Sequence, residues 1–201
     1  MIGSTQCLVG KKGRSYQTLK ETIYMGNYKF KRITEELEKE AYGIYKLNEI
    51  YFSLTGDKAS IEQVQKDRVA LPKKVKEDHK KYVLVYFEEQ PIGVIDYLMN
   101  YPKLGEAYIG LMLIGKKRQG HGQAIYKCLE QSFLQEEVSL VSLAVIKENL
   151  PGVYFWKSQG FKEIRTTSTR INMKEIEVIY FEKILSSDME KQREVFSSQR
   201  T

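Results

Sequence analysis

The chain has 201 residues, 42% hydrophobic and 11% aromatic, which is enough apolar material for one buried core and excludes a disordered protein. A net charge of +6 favours anionic partners such as phosphorylated cofactors, nucleic acid or acidic surfaces, without choosing among them. Two cysteines, Cys7 and Cys128, with only His79 and His121 besides, exclude a disulfide framework and argue against a zinc centre.

Residues 1–24 read as an irregular extension, because Gly3, Gly10 and Gly13 interrupt any period. The segment lacks the apolar run of a secretory signal, and no stretch approaches the ~20 apolar residues of a membrane span, so a cytoplasmic protein is expected. Tyr28–Ile33 alternates like a first strand. Thr34 is placed to cap a helix with Glu35 and Glu36 in its first turn; Leu37, Ala41, Ile44 and Tyr45 mark its buried stripe as far as about Phe52. Thr55-Gly56-Asp57 breaks it. Ser60 and Gln63 have the capping-box spacing, which predicts a second helix ended by Pro72. Lys66–Lys81 carries seven Lys or Arg against three acids, without interleaved aromatics, and reads as a solvated face rather than a nucleic-acid patch.

From Tyr82 the pattern turns to strands. Tyr82–Phe87 and Ile92–Met99 form a hairpin around Glu88–Pro91, and Glu106–Ile114 is a third strand. Gly115–Gly122 is a glycine- and base-rich loop, after which Ile125, Cys128, Leu129, Ser132 and Phe133 recur at helical spacing. A strand over Val138–Ile146, a short helix over Leu150–Gln159, and strands over Phe161–Arg170 and Lys174–Leu185 close the fold. Ser186–Thr201 is a polar tail. The sum is one mixed α/β domain over residues 25–185.

The chemistry is concentrated in Leu111–Ile125. A buried strand enters a loop whose glycines remove Cβ atoms, and the loop opens a helix. Unpaired N–H groups then converge where the helix dipole also favours an anion, and Lys116, Lys117 and Arg118 add charge at the same end. A phosphate or pyrophosphate suits such a place. Walker A is excluded, since no Gly-Lys-Ser/Thr exists here; a dinucleotide fingerprint is excluded by Ile125 at the third glycine position. Gly-x-Gly alone is equally the mark of a tight strand-to-helix turn.

A second stretch weighs against that plain reading. The strand ending at Ile146 leads to Asn149 and then to Val153-Tyr-Phe-Trp-Lys-Ser-Gln-Gly-Phe161. Together the two stretches resemble the GNAT superfamily of acyl-CoA-dependent N-acetyltransferases. Lys117-Arg-Gln-Gly120-His-Gly122 fills that family's phosphate-loop pattern, and Asn149, Phe155-Trp156 and Gly160-Phe161 fill its later one. The resemblance implies a mostly antiparallel twisted sheet with helices on both faces and two splayed parallel strands forming a coenzyme A cleft. It further implies acetyl-CoA as co-substrate and no metal. Backbone groups of Leu111, Met112 and Leu113 would pair with the pantetheine arm and polarise the thioester. The amides of Arg118, Gln119, Gly120, His121, Gly122 and Gln123 would hold the pyrophosphate, with Lys117, Asn149 and Trp156 also at the coenzyme.

Two positions depart from the family pattern. Lys117 stands for the usual Arg or Gln. Trp156 stands where a tyrosine often protonates the departing thiolate, and an indole N–H is no acid near neutral pH. Tyr154 is the nearest substitute, about 200° away around the helix. For the base that receives the amine's proton, Glu106 and Asp96 are the candidates, each equally readable as a strand-edge carboxylate. The expected reaction is direct attack of a primary amine, on a small molecule or peptide, in a ternary complex; no Cys–His arrangement suggests a covalent intermediate. The competing readings are a non-catalytic acyl-CoA-binding or sensing protein of the same fold, and a basic nucleic-acid-binding domain. A monomer or homodimer acting on neither nucleic acid nor membrane is expected.

Overall fold

The computed structural model describes residues 22–115, 117–171 and 174–185. Eight strands form one sheet: β1 Thr22–Met25, β2 Tyr28–Arg32, β3 Lys80–Phe87, β4 Gln90–Met99, β5 Glu106–Ile114, β6 Leu140–Ile146, β7 Lys162–Ile171 and β8 Lys174–Ile184. Their spatial order is β1-β2-β3-β4-β5-β6-β8-β7, and every neighbouring pair is antiparallel except β5 with β6. The β3–β4 hairpin turns through Glu88 and Glu89, both with positive φ (48° and 61°), a sense of turn that matches the strands' own twist.

Helices cover both faces. On one, α1 (Glu38–Lys46), α2 (Glu49–Thr55) and α3 (Ile61–Val69) bury Ala41, Ile44, Tyr45, Phe52 and Val64 against Leu84, Val94 and Leu113. On the other, α4 (His121–Gln135) and α5 (Leu150–Ser158) bury Ile125, Leu129, Phe133 and Trp156 against Ile95, Ile109 and Phe181. The alternation along β5 divides its side chains between them: Leu111 and Leu113 join the first cluster, Met112 and Ile114 the second.

Several expectations need correction. Thr22–Met25 is a strand paired with β2, so the irregular extension does not run to residue 24; residues 1–21, and the tail Ser186–Thr201, lie outside the described residues. The single helix from Thr34 to Phe52 is instead a short 3-10 turn (Glu35–Leu37) followed by α1 and α2, and Thr34 makes no side-chain cap. The break falls at Asn48, whose Nδ2 donates to the carbonyl of Ile44 at 2.9 Å and to that of Ile114 at 3.4 Å. A side chain that bonds local backbone competes with helix continuation, and here it also pins the break to the end of β5. Ser60 does cap α3, accepting from Gln63 N–H at 3.1 Å, while the Gln63 amide turns to Asp67 rather than back to the cap. Lys80, within the stretch read as solvated, is buried as the first residue of β3.

Candidate active site

β5 and β6 run in register only from Glu106–Ile109 against Leu140–Leu143. β5 continues to Ile114 and β6 to Ile146, with no pairing between those ends. The parting begins at a bulge: Asp96 of β4 pairs with Leu111 and Tyr97 with Ile109, so Gly110 is the extra residue of β5. A bulge bends its strand, and this one bends β5 away from β6 where their ladder stops. Gly110 on one lip and Ala144 on the other are both exposed, although each belongs to a central strand. A slot is therefore present in mid-sheet, its opposed backbones free to accept an extended chain. Tyr51 and Leu54 of α2 cross above it to pack on Ile146, Ile176 and Val178.

At the open end, Gly115 N–H donates to Ile92 O at 2.8 Å, fixing where β5 stops. Its missing Cβ makes room for Leu47, whose Cδ1 would lie 2.9 Å from one. Lys116 lies outside the described residues. Arg118 (φ 62°) and Gly120 (φ 79°) then reverse the chain, and Gly120 becomes the N-cap of α4. At the start of α4 the amide of Ala124 is bonded to Gly120 O at 3.1 Å. Among the described residues, the N–H groups of Arg118, Gly120, His121, Gly122 and Gln123 have no backbone partner. Lys117, Arg118, Gln119 and Gln123 are exposed. Unpaired donors gathered at a helix start and flanked by cations fit a pyrophosphate. Gly122 is needed for a second reason: a Cβ there would stand 3.3 Å from the Phe155 ring. His121 turns away from the loop. Its Nδ1 shares a hydrogen bond with the Tyr28 hydroxyl at 3.1 Å, and its ring lies 4.9 Å from that of Phe87, tying the loop to β2 and β3.

The remaining predicted residues fall in different settings. Asn149 caps α5, its Oδ1 accepting from Gly152 N–H at 3.3 Å. Trp156 is only 7% exposed and is enclosed by Tyr126, Phe155 and Phe161, so Phe155 is the member of the aromatic pair that reaches the phosphate loop. Tyr154 is 69% exposed. Glu106 is half-buried at the closed end of the β5–β6 pair, opposite Leu140 and four residues before the bulge.

Asp96 stands at the bulge itself. A Cβ built on Gly110 would lie 3.9 Å from Asp96 Oδ2. That oxygen accepts from Lys80 Nζ at 2.6 Å, while Oδ1 is buried with no hydrogen-bond partner. Burial raises the Asp96 pKa, opposed by the Lys80 ammonium. Behind it lies a polar network: Tyr82 shares a hydrogen bond with Tyr45 (2.7 Å), and Tyr45 donates to Asp67 (2.7 Å). Burial also pushes the Tyr51 and Tyr108 hydroxyls up to about 12.

The profile of the acetyltransferase (GNAT) family matches residues 41–161, from the middle of α1 to the end of the Gly160-Phe161 pattern. The chain belongs to the GNAT acetyltransferase family. Solved structures share the GNAT fold at low identity. A probable acetyltransferase of the family from Chromobacterium violaceum is 10% identical, covers 92% of this chain and 96% of its own, and superposes with a TM-score of 0.69. An acetyltransferase from Thermus thermophilus is 17% identical over 79% of this chain and 97% of its own, with a TM-score of 0.58. The ribosomal-protein-S18-alanine N-acetyltransferase from Escherichia coli is 14% identical over 79% and 94%, with a TM-score of 0.59. A comparison with curated proteins gives no match. The GNAT family typically uses acetyl-CoA, and acetyl transfer is the chemistry of the family. Among the described residues, no group of three or more His, Cys, Asp or Glu is placed to hold a metal, and no helix is long and apolar enough to cross a membrane.

Sequence reasoning missed the polar network behind the bulge. Its members, Asp67, Lys80 and Asp96, lie far apart in the chain and meet only through strand register.

Proposed function

We propose that this protein transfers an acetyl group from acetyl-CoA to a primary amine by direct attack in a ternary complex. The observation that carries the reading is the mid-sheet slot that opens onto the start of α4, where the amides of Arg118 and Gly120–Gln123 have no backbone partner among the described residues. An extended thiol-bearing arm fits between the lips of β5 and β6, and its pyrophosphate fits the amides at the start of α4. In this reading the backbone of Leu111, Met112 and Leu113 faces the pantetheine and the thioester. A main-chain N–H there stabilises the oxyanion formed on attack. Lys117 and Arg118 supply charge beside the phosphates, and Asn149 and Trp156 border the arm. Tyr154, which is exposed, and Glu106 are the sequence-based candidates for acid and base, and with Trp156 enclosed at the usual tyrosine position this reading does not require a general acid for the thiolate to depart. A thiol of pKa about 8.5 is a tolerable leaving group, so such an enzyme remains active.

The proposed catalytic unit runs from Thr22 to Leu185, in a cytoplasmic protein acting on a small-molecule or peptide amine. Calorimetry with acetyl-CoA, followed by thiol release with a panel of primary amines, tests the reading. Saturable binding with turnover is expected. Binding with no thiol release on any acceptor would favour a sensing protein that keeps the coenzyme site without the chemistry, and no binding would end both readings.

A further inference from the structure

We propose that Asp96 is the catalytic base that takes the proton of the incoming amine. The inference rests on the acetyl-transfer reading and adds to it a residue on β4, outside the phosphate-loop and Asn149 patterns.

Three independent observations meet at this side chain. The first is position. Gly110 is the bulged residue at the apex of the slot, and the atoms nearest its absent Cβ are the carbonyl and carboxylate oxygens of Asp96, at 3.8 and 3.9 Å. With no side chain at residue 110, the carboxylate is reached from the point where β5 leaves β6. The second is an orphan. Asp96 Oδ1 is buried without a partner, a costly state for a carboxylate oxygen. The third is local charge. Lys80 and Tyr82 from β3 and Asp67 from α3 are the groups that face Asp96. Lys80 Nζ on Oδ2 favours the ionised carboxylate, while burial and Asp67 oppose it. Lys66 adds a second ammonium beside Asp67, so two carboxylates and two cations share this corner, and Asp96 is the carboxylate of the pair that borders Gly110. Glu106 has no comparable place, being four residues back at the closed end of the strand pair.

The step balances as follows. The ammonium gives one proton to Asp96, which passes it to solvent. The freed lone pair forms the C–N bond at the thioester carbonyl carbon, and the carbonyl oxygen becomes the oxyanion. As that intermediate collapses, the C–S bond breaks and the electron pair leaves on sulfur. The nitrogen loses its second proton, which ends on the thiolate. The products are an amide, free thiol and one proton in solvent.

The test compares wild type, Asp96→Asn, Asp96→Glu and Asp96→Ala, after circular dichroism shows each folded. Acetyl-CoA binding is read by calorimetry. Thiol release is followed against pH with butylamine, putrescine, benzylamine, ethanolamine and glycinamide. Asp96→Asn should leave the acetyl-CoA Kd within about threefold, lower kcat by about 10²–10³-fold and abolish the acid limb of the kcat/KM profile. Asp96→Glu should keep that limb, and added formate should restore part of the Asp96→Ala rate. An Asp96→Asn enzyme with wild-type kcat and an unchanged acid limb would overturn the assignment while leaving acetyl transfer intact. Wild type that binds acetyl-CoA but releases no thiol with any of the amines also overturns it, since no transfer exists for Asp96 to serve. Wild type that fails to bind acetyl-CoA brings down the functional reading itself.

Discussion

Two glycines in the phosphate loop are required for different physical reasons, and their variants should fail differently. Gly120 has open space around its missing Cβ but a φ of 79°, so a side chain there strains only the backbone. Gly122 has ordinary room for φ but faces the Phe155 ring at 3.3 Å. Gly122→Leu should displace either Phe155 or the first turn of α4 and raise the acetyl-CoA Kd by about tenfold or more. His121→Ala, which loses a bond to Tyr28 outside the phosphate site, should raise it by no more than about threefold. Equal, small effects in calorimetry would contradict the loop as the binding site. Asp67 supplies a prediction of another kind. Burial raises its pKa above the ordinary value of about 3.9, so between those two values the native state holds more protons than the unfolded chain. Its contribution to stability is therefore full below about pH 4 and is lost as pH rises through the folded pKa. Asp67→Asn should gain on wild type in urea melts as pH climbs from about 4 towards neutrality. A pH-independent difference between the two proteins would refute this.

At the scale of elements, α3 depends on its cap. The Ser60 hydroxyl serves the Gln63 amide, and Ser60→Ala should cost about 1 kcal/mol in a urea melt, with no effect on coenzyme affinity because α3 lies away from the loop. Strand β5 was legible in the sequence at both ends, and β3 and β4 to within two residues at their starts, since period-two patterns are local signals; the apolar spacing of α4 was legible in the same way. The break between α1 and α2 was not. Asn48 looks like any polar helix residue until its amide is seen to reach the Ile114 carbonyl, 66 residues on. The candidate site divides in the same way. Its phosphate loop is a contiguous motif and could be read directly. Asp96 could be named as a candidate carboxylate but not placed at the slot's apex, because one extra residue at Gly110 decides which strand neighbours meet there. Trp156 packs inside while Phe155, about 100° away around α5, meets the loop at Gly122.

For the whole molecule, the arrangement predicts a graded response to ligand. Acetyl-CoA binding should slow amide hydrogen exchange from Gly110 through Gln123. Exchange in Leu140–Leu143, already paired on both sides by β5 and β8, should be nearly unchanged. Mass spectrometry of deuterated peptides reads both regions at once, and uniform protection would count against binding in the slot. The distribution of cross-links between the two sheet halves has a mechanical consequence. Among the described residues, four residue pairs of ladder join the β1–β5 half to the β6–β8 half, the core under α4 and α5 crosses the seam on one face, and Tyr51 and Leu54 form a brace on the α2 side. Shaving that brace, for example with Leu54→Ala, should lower the torsional stiffness of the joint while each half keeps its own fold. The seam would then open as a unit, and its width would be set by whichever helix still spans it.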